Sequence, residues 1–179
     1  GHYVYSPSGR HWLFRIKDGA GGCWQVSQPA PDTGTSPGST VSGSAPEARE
    51  YRQPSAEERK AYEQIQDLIR NQKKYDEAIS RIYEFIDEYP EGDLTVNAYY
   101  WLGEVYLVMP KFEQARQAFT VVVGSFPSHR KAADAMFKLG VTYHRLNKLE
   151  DAKFYLAEVV KRYPESSAAK LAKEYVAKL

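Results

Sequence analysis

Phe112-Glu113-Gln114-Ala115, closed downstream by Pro127, has a counterpart on either side: Tyr75-Asp76-Glu77-Ala78 with Pro90, and Leu149-Glu150-Asp151-Ala152 with Pro164. Each Ala-to-Ala and Pro-to-Pro step is 37 residues. Self-similarity at a period of ~20–50 residues marks a row of supersecondary units, none of which can bury its apolar face without a stacked neighbour. The chain is therefore a repeat array.

Around these stretches the apolar residues recur at helical spacing. Ala61, Tyr62, Ile65, Leu68 and Ile69 precede a break at Asn71 to Lys74, and Ala78, Ile79, Ile82, Phe85 and Ile86 follow it. The second unit gives Ala98, Tyr99, Leu102, Gly103 and Tyr106, a break at Pro110, then Ala115, Phe119 and Val122; the third gives Ala135, Met136, Leu139, Gly140 and Tyr143, a break at Asn147-Lys148, then Ala152, Leu156 and Val159. Each unit reads as an antiparallel helix pair. Ser55 with Glu58 fits a capping box that opens the first helix, and Ser166 can cap a last one over 167–178 that closes the final apolar surface.

The small residues have a packing reason: Gly103 and Gly140 on first helices, and Ala78, Ala115 and Ala152 on second helices, let paired helices approach closely. With Leu102 and Leu139, Tyr106 and Tyr143, and the terminal prolines, they match the tetratricopeptide signature in kind and order. The fold expected is an all-α tetratricopeptide superhelix over residues 55–179, with units at about 59–92, 96–129 and 133–166. The usual period is ~34 residues, so the longer step here places extra turn residues at Glu91 to Leu94 and at Ser128 to Lys131. The first unit is atypical, with Gln66 where the glycine would stand.

Before the array, residues 1–28 read as three short β-like pieces, Tyr3 to Tyr5, His11 to Ile16 and Cys23 to Val26, too few to bury a core alone. Residues 29–54 read as a disordered linker, because 14 of the 18 residues from Pro29 to Pro46 are Pro, Ser, Gly or Thr and that composition favours an unfolded chain.

Composition excludes several function classes. The 179-residue chain has a formal net charge of +1, so no whole-molecule field attracts nucleic acid or an anionic membrane, and no apolar run is long enough to span a bilayer. The balance hides a gradient, from 6 Lys/Arg against 11 Asp/Glu over 55–93 to 11 against 6 over 128–179. The single cysteine, Cys23, cannot form an internal disulfide. His2, His11 and Cys23 lack the spacing and fourth ligand of a structural metal site, and His129, following Ser128 at a helix start, reads as a solvated turn residue. Gly19-Ala20-Gly21-Gly22 lacks the following helix that a phosphate cradle needs. No catalytic residue, metal or cofactor is expected.

Binding is the expected activity, since stacked helix pairs line a concave face with their first helices. Counting from the small residue, side chains three before, one after and four after face that groove. These are Glu63, Asp67 and Arg70, then Tyr100, Glu104 and Leu107, then Phe137, Val141 and His144. The groove is expected to be apolar and aromatic in the middle and acidic at its first end, which suits an amphipathic helix or an extended peptide with large side chains. The alternative for Tyr100 and Phe137 is packing against the neighbouring repeat, and for His144 an ordinary helix position.

The run Asn97-Ala98-Tyr99-Tyr100-Trp101-Leu102-Gly103-Glu104, with Phe126-Pro127-Ser128, Lys138-Leu139-Gly140, Arg162-Tyr163-Pro164 and Ser167 to Ala172, resembles one family closely. It is similar to the C-terminal tetratricopeptide domain of the CpoB (YbgF) family of the Tol-Pal system, the cell division coordinators of Gram-negative bacteria, over about residues 55–179. The resemblance implies a periplasmic, non-enzymatic protein that binds TolA and couples outer-membrane constriction to septal peptidoglycan synthesis by a bifunctional penicillin-binding protein. That family opens with a trimerising coiled coil, whereas residues 1–28 carry no heptads, so trimerisation by that route is not expected. The alternatives are another envelope tetratricopeptide scaffold, such as an outer-membrane assembly lipoprotein, and a generic peptide-binding adaptor.

Overall fold

The computed structural model describes residues 51–179 in full and, ahead of them, the backbone of residues 2–5, 12–16 and 23–27. Strands β1 (His2–Tyr5), β2 (Trp12–Ile16) and β3 (Cys23–Ser27) form an antiparallel sheet in the order β1-β2-β3. Most of the linker read over 29–54, and His11, lie outside the described residues. Among the described residues seven helices follow: α1 (Ala56–Arg70), α2 (Tyr75–Glu88), α3 (Asp93–Val108), α4 (Phe112–Ser125), α5 (Ala132–Arg145), α6 (Leu149–Arg162) and α7 (Ser167–Val176). They pair as α1/α2, α3/α4 and α5/α6, with α7 packed on the last pair, giving the expected all-α superhelix.

The capping box forms as its residues require. The Glu58 amide donates to Ser55 Oγ at 3.2 Å and the Ser55 amide donates to Glu58 Oε1 at 3.3 Å. Ser166 Oγ accepts from the Ala169 amide at 3.0 Å to start α7. Lys73 and Asn147 take the left-handed conformation, φ 51° and 59°, just past the ends of α1 and α5, the usual way to turn a chain out of a helix.

The small residues sit where the helices cross. A Cβ on Gly103 would stand 2.5 Å from the Phe119 ring, and one on Gly140 would stand 2.8 Å from Leu156 Cγ. Ala78, Ala115 and Ala152 are fully buried, as are Ile82, Phe119 and Leu156 one turn further along the second helices, and Phe119 and Leu156 fill the space opposite Gly103 and Gly140. The first unit carries Gln66 at the position of the glycine, and its Nε2 is buried with no hydrogen-bond partner.

Three expectations are corrected. The extra residues at the first junction are not turn: α3 begins at Asp93, two residues past Glu91, so Asp93 and Leu94 lengthen the helix, while 128–131 remain a turn as expected. The linker does not run to 54, because Tyr51 and Arg52 dock on the array. The Tyr51 ring meets His129 edge-on at 4.9 Å and its hydroxyl lies 3.2 Å from Ser128 Oγ. Arg52 forks onto Glu58, which is 2 % exposed, and donates to the Glu91 carbonyl at 2.7 Å. Its guanidinium holds the Glu58 carboxyl below the ordinary range, against the opposing effect of burial.

His129, finally, is not solvated: it is 4 % exposed. Its Nε2 lies 2.9 Å from Asp93 Oδ1, which also receives Arg130, and its Nδ1 accepts from the Lys131 amide at 3.0 Å. Tyr51 and Asp93, both from earlier in the chain, pack on the imidazole that the sequence placed in a solvated turn.

Candidate functional site

The first helices α1, α3 and α5 stand side by side, with α7 following α5 at the far end, and side chains bridge each step. At the first step the Arg70 guanidinium lies 5.0 Å from the centre of the Trp101 ring. Glu63 is exposed on the same helix, and Asp67 accepts from Asn71 Nδ2 and Gln72 Nε2, each at 2.6 Å. Those two hydrogen bonds push the Asp67 carboxyl below its ordinary pKa, so the first end of the face stays negative at neutral pH.

In the middle, Tyr100 is half-buried. Its ring packs 5.8 Å from Phe119 and 6.0 Å from Trp101, and the Lys131 ammonium sits 4.8 Å above it. Burial, reinforced by the charges of Glu104 and Asp134, pushes the Tyr100 phenol well up, so the hydroxyl remains protonated and a donor. Lys138 Nζ lies 3.2 Å from Glu104 Oε1, at ion-pair distance but without hydrogen-bond alignment, so that buried oxygen keeps an acceptor position open. Leu107 and Val141 are half-buried, and Val108, one residue beyond Leu107, is 59 % exposed.

At the last end, Tyr175 of α7 takes up both third-unit residues. Its ring meets Phe137 edge-on at 6.0 Å and His144 at 5.6 Å, and its hydroxyl shares a 2.6 Å hydrogen bond with His144 Nδ1. Burial raises the Tyr175 phenol as well.

The structure thus places the nine expected groove residues on the three first helices, but with the middle less open than the sequence suggests. Lys131 and Lys138 overlie the aromatic floor, and Phe137 and His144 lean on the capping helix. Trp101, Lys131, Lys138 and Tyr175 were missed because each makes its contact across to another unit or to the capping helix, from Trp101 on α3 to Arg70, from the 128–131 turn and α5 to Tyr100 and Glu104, and from α7 to Phe137 and His144. The signal available for one of them was opposite charge at Glu104 and Lys138, 34 residues apart on adjacent first helices.

A row of paired helices with half-buried aromatics, bridging ion pairs and one acidic end defines a helical-repeat binding scaffold. Two tetratricopeptide repeat models match the chain, over residues 62–130 and 134–166. The chain is a tetratricopeptide-repeat protein. No curated protein matches it. Among solved structures it is similar to the first tetratricopeptide domain of Spaghetti (RPAP3) bound to an HSP90 peptide, SRMEEVD. That match has a TM-score of 0.53 and 22 % identity, and spans 70 % of this chain and 97 % of that one. At that identity the likeness is one of fold.

Proposed function

We propose that this chain is a non-enzymatic adaptor that binds a protein segment along the face built by α1, α3 and α5. The observation that carries the reading is the graded chemistry of that face: exposed Glu63 and ionised Asp67 at one end, Tyr100, Leu107 and Val108 in the middle, Phe137 against Tyr175 at the other. An apolar stripe with basic residues at one end is the complementary ligand. A peptide ending in acidic residues and a free carboxylate, like SRMEEVD, meets exposed Glu63 and ionised Asp67 at the first end of the face.

In its particular form the adaptor is a periplasmic component of the Tol-Pal system that binds TolA and links outer-membrane constriction to septal peptidoglycan synthesis by a bifunctional penicillin-binding protein. Support comes from the Asn97 to Glu104 run and the Ser167 to Ala172 tail, which resemble the CpoB family. The test is a calorimetric titration of the soluble part of TolA against the full chain and against a Tyr100→Ala/Phe137→Ala variant that keeps its helical circular dichroism. Saturable binding by wild type with loss in the variant is the expected result. Equal binding by both moves the site to another face, and binding by neither leaves a general peptide adaptor of the same fold.

A further inference from the structure

The outer side of the first unit holds an open trough of about 500 Å³ between α1 and α2, with Gln64, Leu68 and Arg81 among its lining. One repeat step of 37 residues carries these three positions to Trp101, Val105 and Ala118. In the second unit the same positions seat the preceding helices. Trp101 takes the Arg70 guanidinium of α1 over its ring, Val105 is 1 % exposed, and Ala118 lines a common recess with Tyr83 and Ile86 of α2. The trough is therefore a helix seat of the same kind, and in the first unit it stands open, with Gln64 and Arg81 exposed. A helical stack grows by filling such a seat with the helix before it.

Charge indicates which helix fits. The trough carries Glu63, Asp67 and Glu77 against Lys60 and Arg81, and Arg81 is already engaged by Glu84 at 3.7 Å. At the other end of the array α7 turns Lys170 and Lys173 to solvent, with Lys178 just past its end and one acid, Glu174, beside them. The same helix exposes two aliphatic side chains, Leu171 and Val176. Over the whole array the excess runs from 11 Asp/Glu against 6 Lys/Arg in residues 55–93 to 11 Lys/Arg against 6 Asp/Glu in residues 128–179. Two copies thus attract where unlike ends meet and repel where like ends meet, which disfavours a symmetric pair.

We propose that the trough on α1 and α2 is the seat for α7 of a second copy of this chain, so that copies continue the superhelix head to tail. The contact joins two different surfaces, and a pair of copies still has one of each open for further growth. Because it uses the ends of the stack, the α1/α3/α5 face runs on from one copy to the next, and the proposal does not depend on what that face binds. Exposed ion pairs are individually weak, so the association is reversible and falls as salt rises.

Sedimentation velocity of the full chain tests this. At ~20 mM salt the weight-average mass is expected to climb with protein concentration, and at ~500 mM, where charge is screened within a few Å, to stay at the 20.4 kDa of one chain. Glu77→Lys/Glu84→Lys makes the trough basic, and Lys170→Glu/Lys173→Glu makes α7 acidic. All four positions are exposed and none belongs to the groove residues, so each variant is expected to keep its helical circular dichroism. Either variant alone is expected to stay monomeric at low salt, because like charges then meet. An equimolar mixture offers a basic trough to an acidic α7 and an unaltered trough to an unaltered α7, and is expected to regain the association. A wild-type mass that never leaves the monomer value at low salt overturns the proposal, as does a mixture that stays monomeric. A climb that persists in both variants places self-association on another surface and overturns it as well.

Discussion

Asp93 and His129 join the start of one first helix to the turn before the next, with Nε2 of the imidazole 2.9 Å from the carboxylate oxygen. Since the Lys131 amide already donates to Nδ1, the ring proton sits on Nε2 and the imidazole is neutral. Burial is the main reason that the His129 pKa is lowered; the Arg130 charge adds to it and Asp93 opposes it. Asp93 is half-buried, which would raise its carboxyl, but the hydrogen bonds from Arg130 and His129 outweigh that and lower it.

The sign of the pH effect follows. As pH falls through the unfolded histidine value of ~6.5, the unfolded chain takes up a proton that the folded chain refuses, so the stability conferred by neutral His129 is present above that pH and lost below it. Thermal unfolding followed from about pH 7.5 to 5.5 is expected to show a steeper loss of Tm in wild type than in His129→Gln. Parallel profiles would remove His129 as the titrating group.

Gly103→Leu forces a branched side chain into the space of the Phe119 ring, where a Cβ alone already stands 2.5 Å away. Overpacking of this kind costs about 1–3 kcal/mol, read as a fall in the urea midpoint. Gly124 has nothing near an added Cβ, so Gly124→Ala serves as the control and is expected to leave the midpoint unchanged or raise it slightly.

Gln66→Leu is expected to stabilise. It removes a buried amide nitrogen that has no partner, a defect worth about 1–3 kcal/mol, and keeps a side chain of similar length. A lower Tm than wild type would mean that the Gln66 amide is satisfied in solution.

A fragment starting at Ser55 lacks Tyr51 and Arg52 and therefore the fork on Glu58, leaving a carboxylate that is 2 % exposed without its cation. Removing one partner of a buried pair is typically worth about 3–5 kcal/mol; the half-exposed arginine here puts the expectation at the lower end or below. Compared by denaturant titration, a fragment starting at residue 51 should be clearly more stable than one starting at 55, and equal midpoints would count against the docking.

Charge at the first end of the groove is testable with the peptide SRMEEVD. Wild type is expected to bind it too weakly to saturate, whereas Glu63→Lys/Asp67→Lys should strengthen binding at least several-fold at low salt, with the gain screened as salt rises. Unchanged affinity would show that acidic peptides do not run along this face.

Features that depend on the repeat period were legible in the sequence. The period pairs Gly103 with Phe119 and Gly140 with Leu156, and the capping serines Ser55 and Ser166 are local signals read within four residues. Tyr51, by contrast, sits in a polar stretch with no periodic neighbour, and its partners Ser128 and His129 are more than seventy residues away. The burial of His129 and the reach of Lys131 over Tyr100 depend on how far each unit rotates relative to the last, a quantity that spacing does not encode. The start of α3 at Asp93 was missed because two extra residues can lengthen either a turn or a helix, and the Arg52 carbonyl, which accepts from the Asp93 amide at 3.1 Å, favours the helix.

The route of the chain at Tyr51 has a mechanical consequence. Tension applied to the amino-terminal tether does not reach α1 first; it arrives at Ser128 and His129, 77 and 78 positions further along the sequence. The load is then shared between the second and third units, and α1 is shielded from being peeled off the end of the stack. A protein tethered at its amino end while its groove holds a pulling partner would yield at the Tyr51 anchor before it lost a helix.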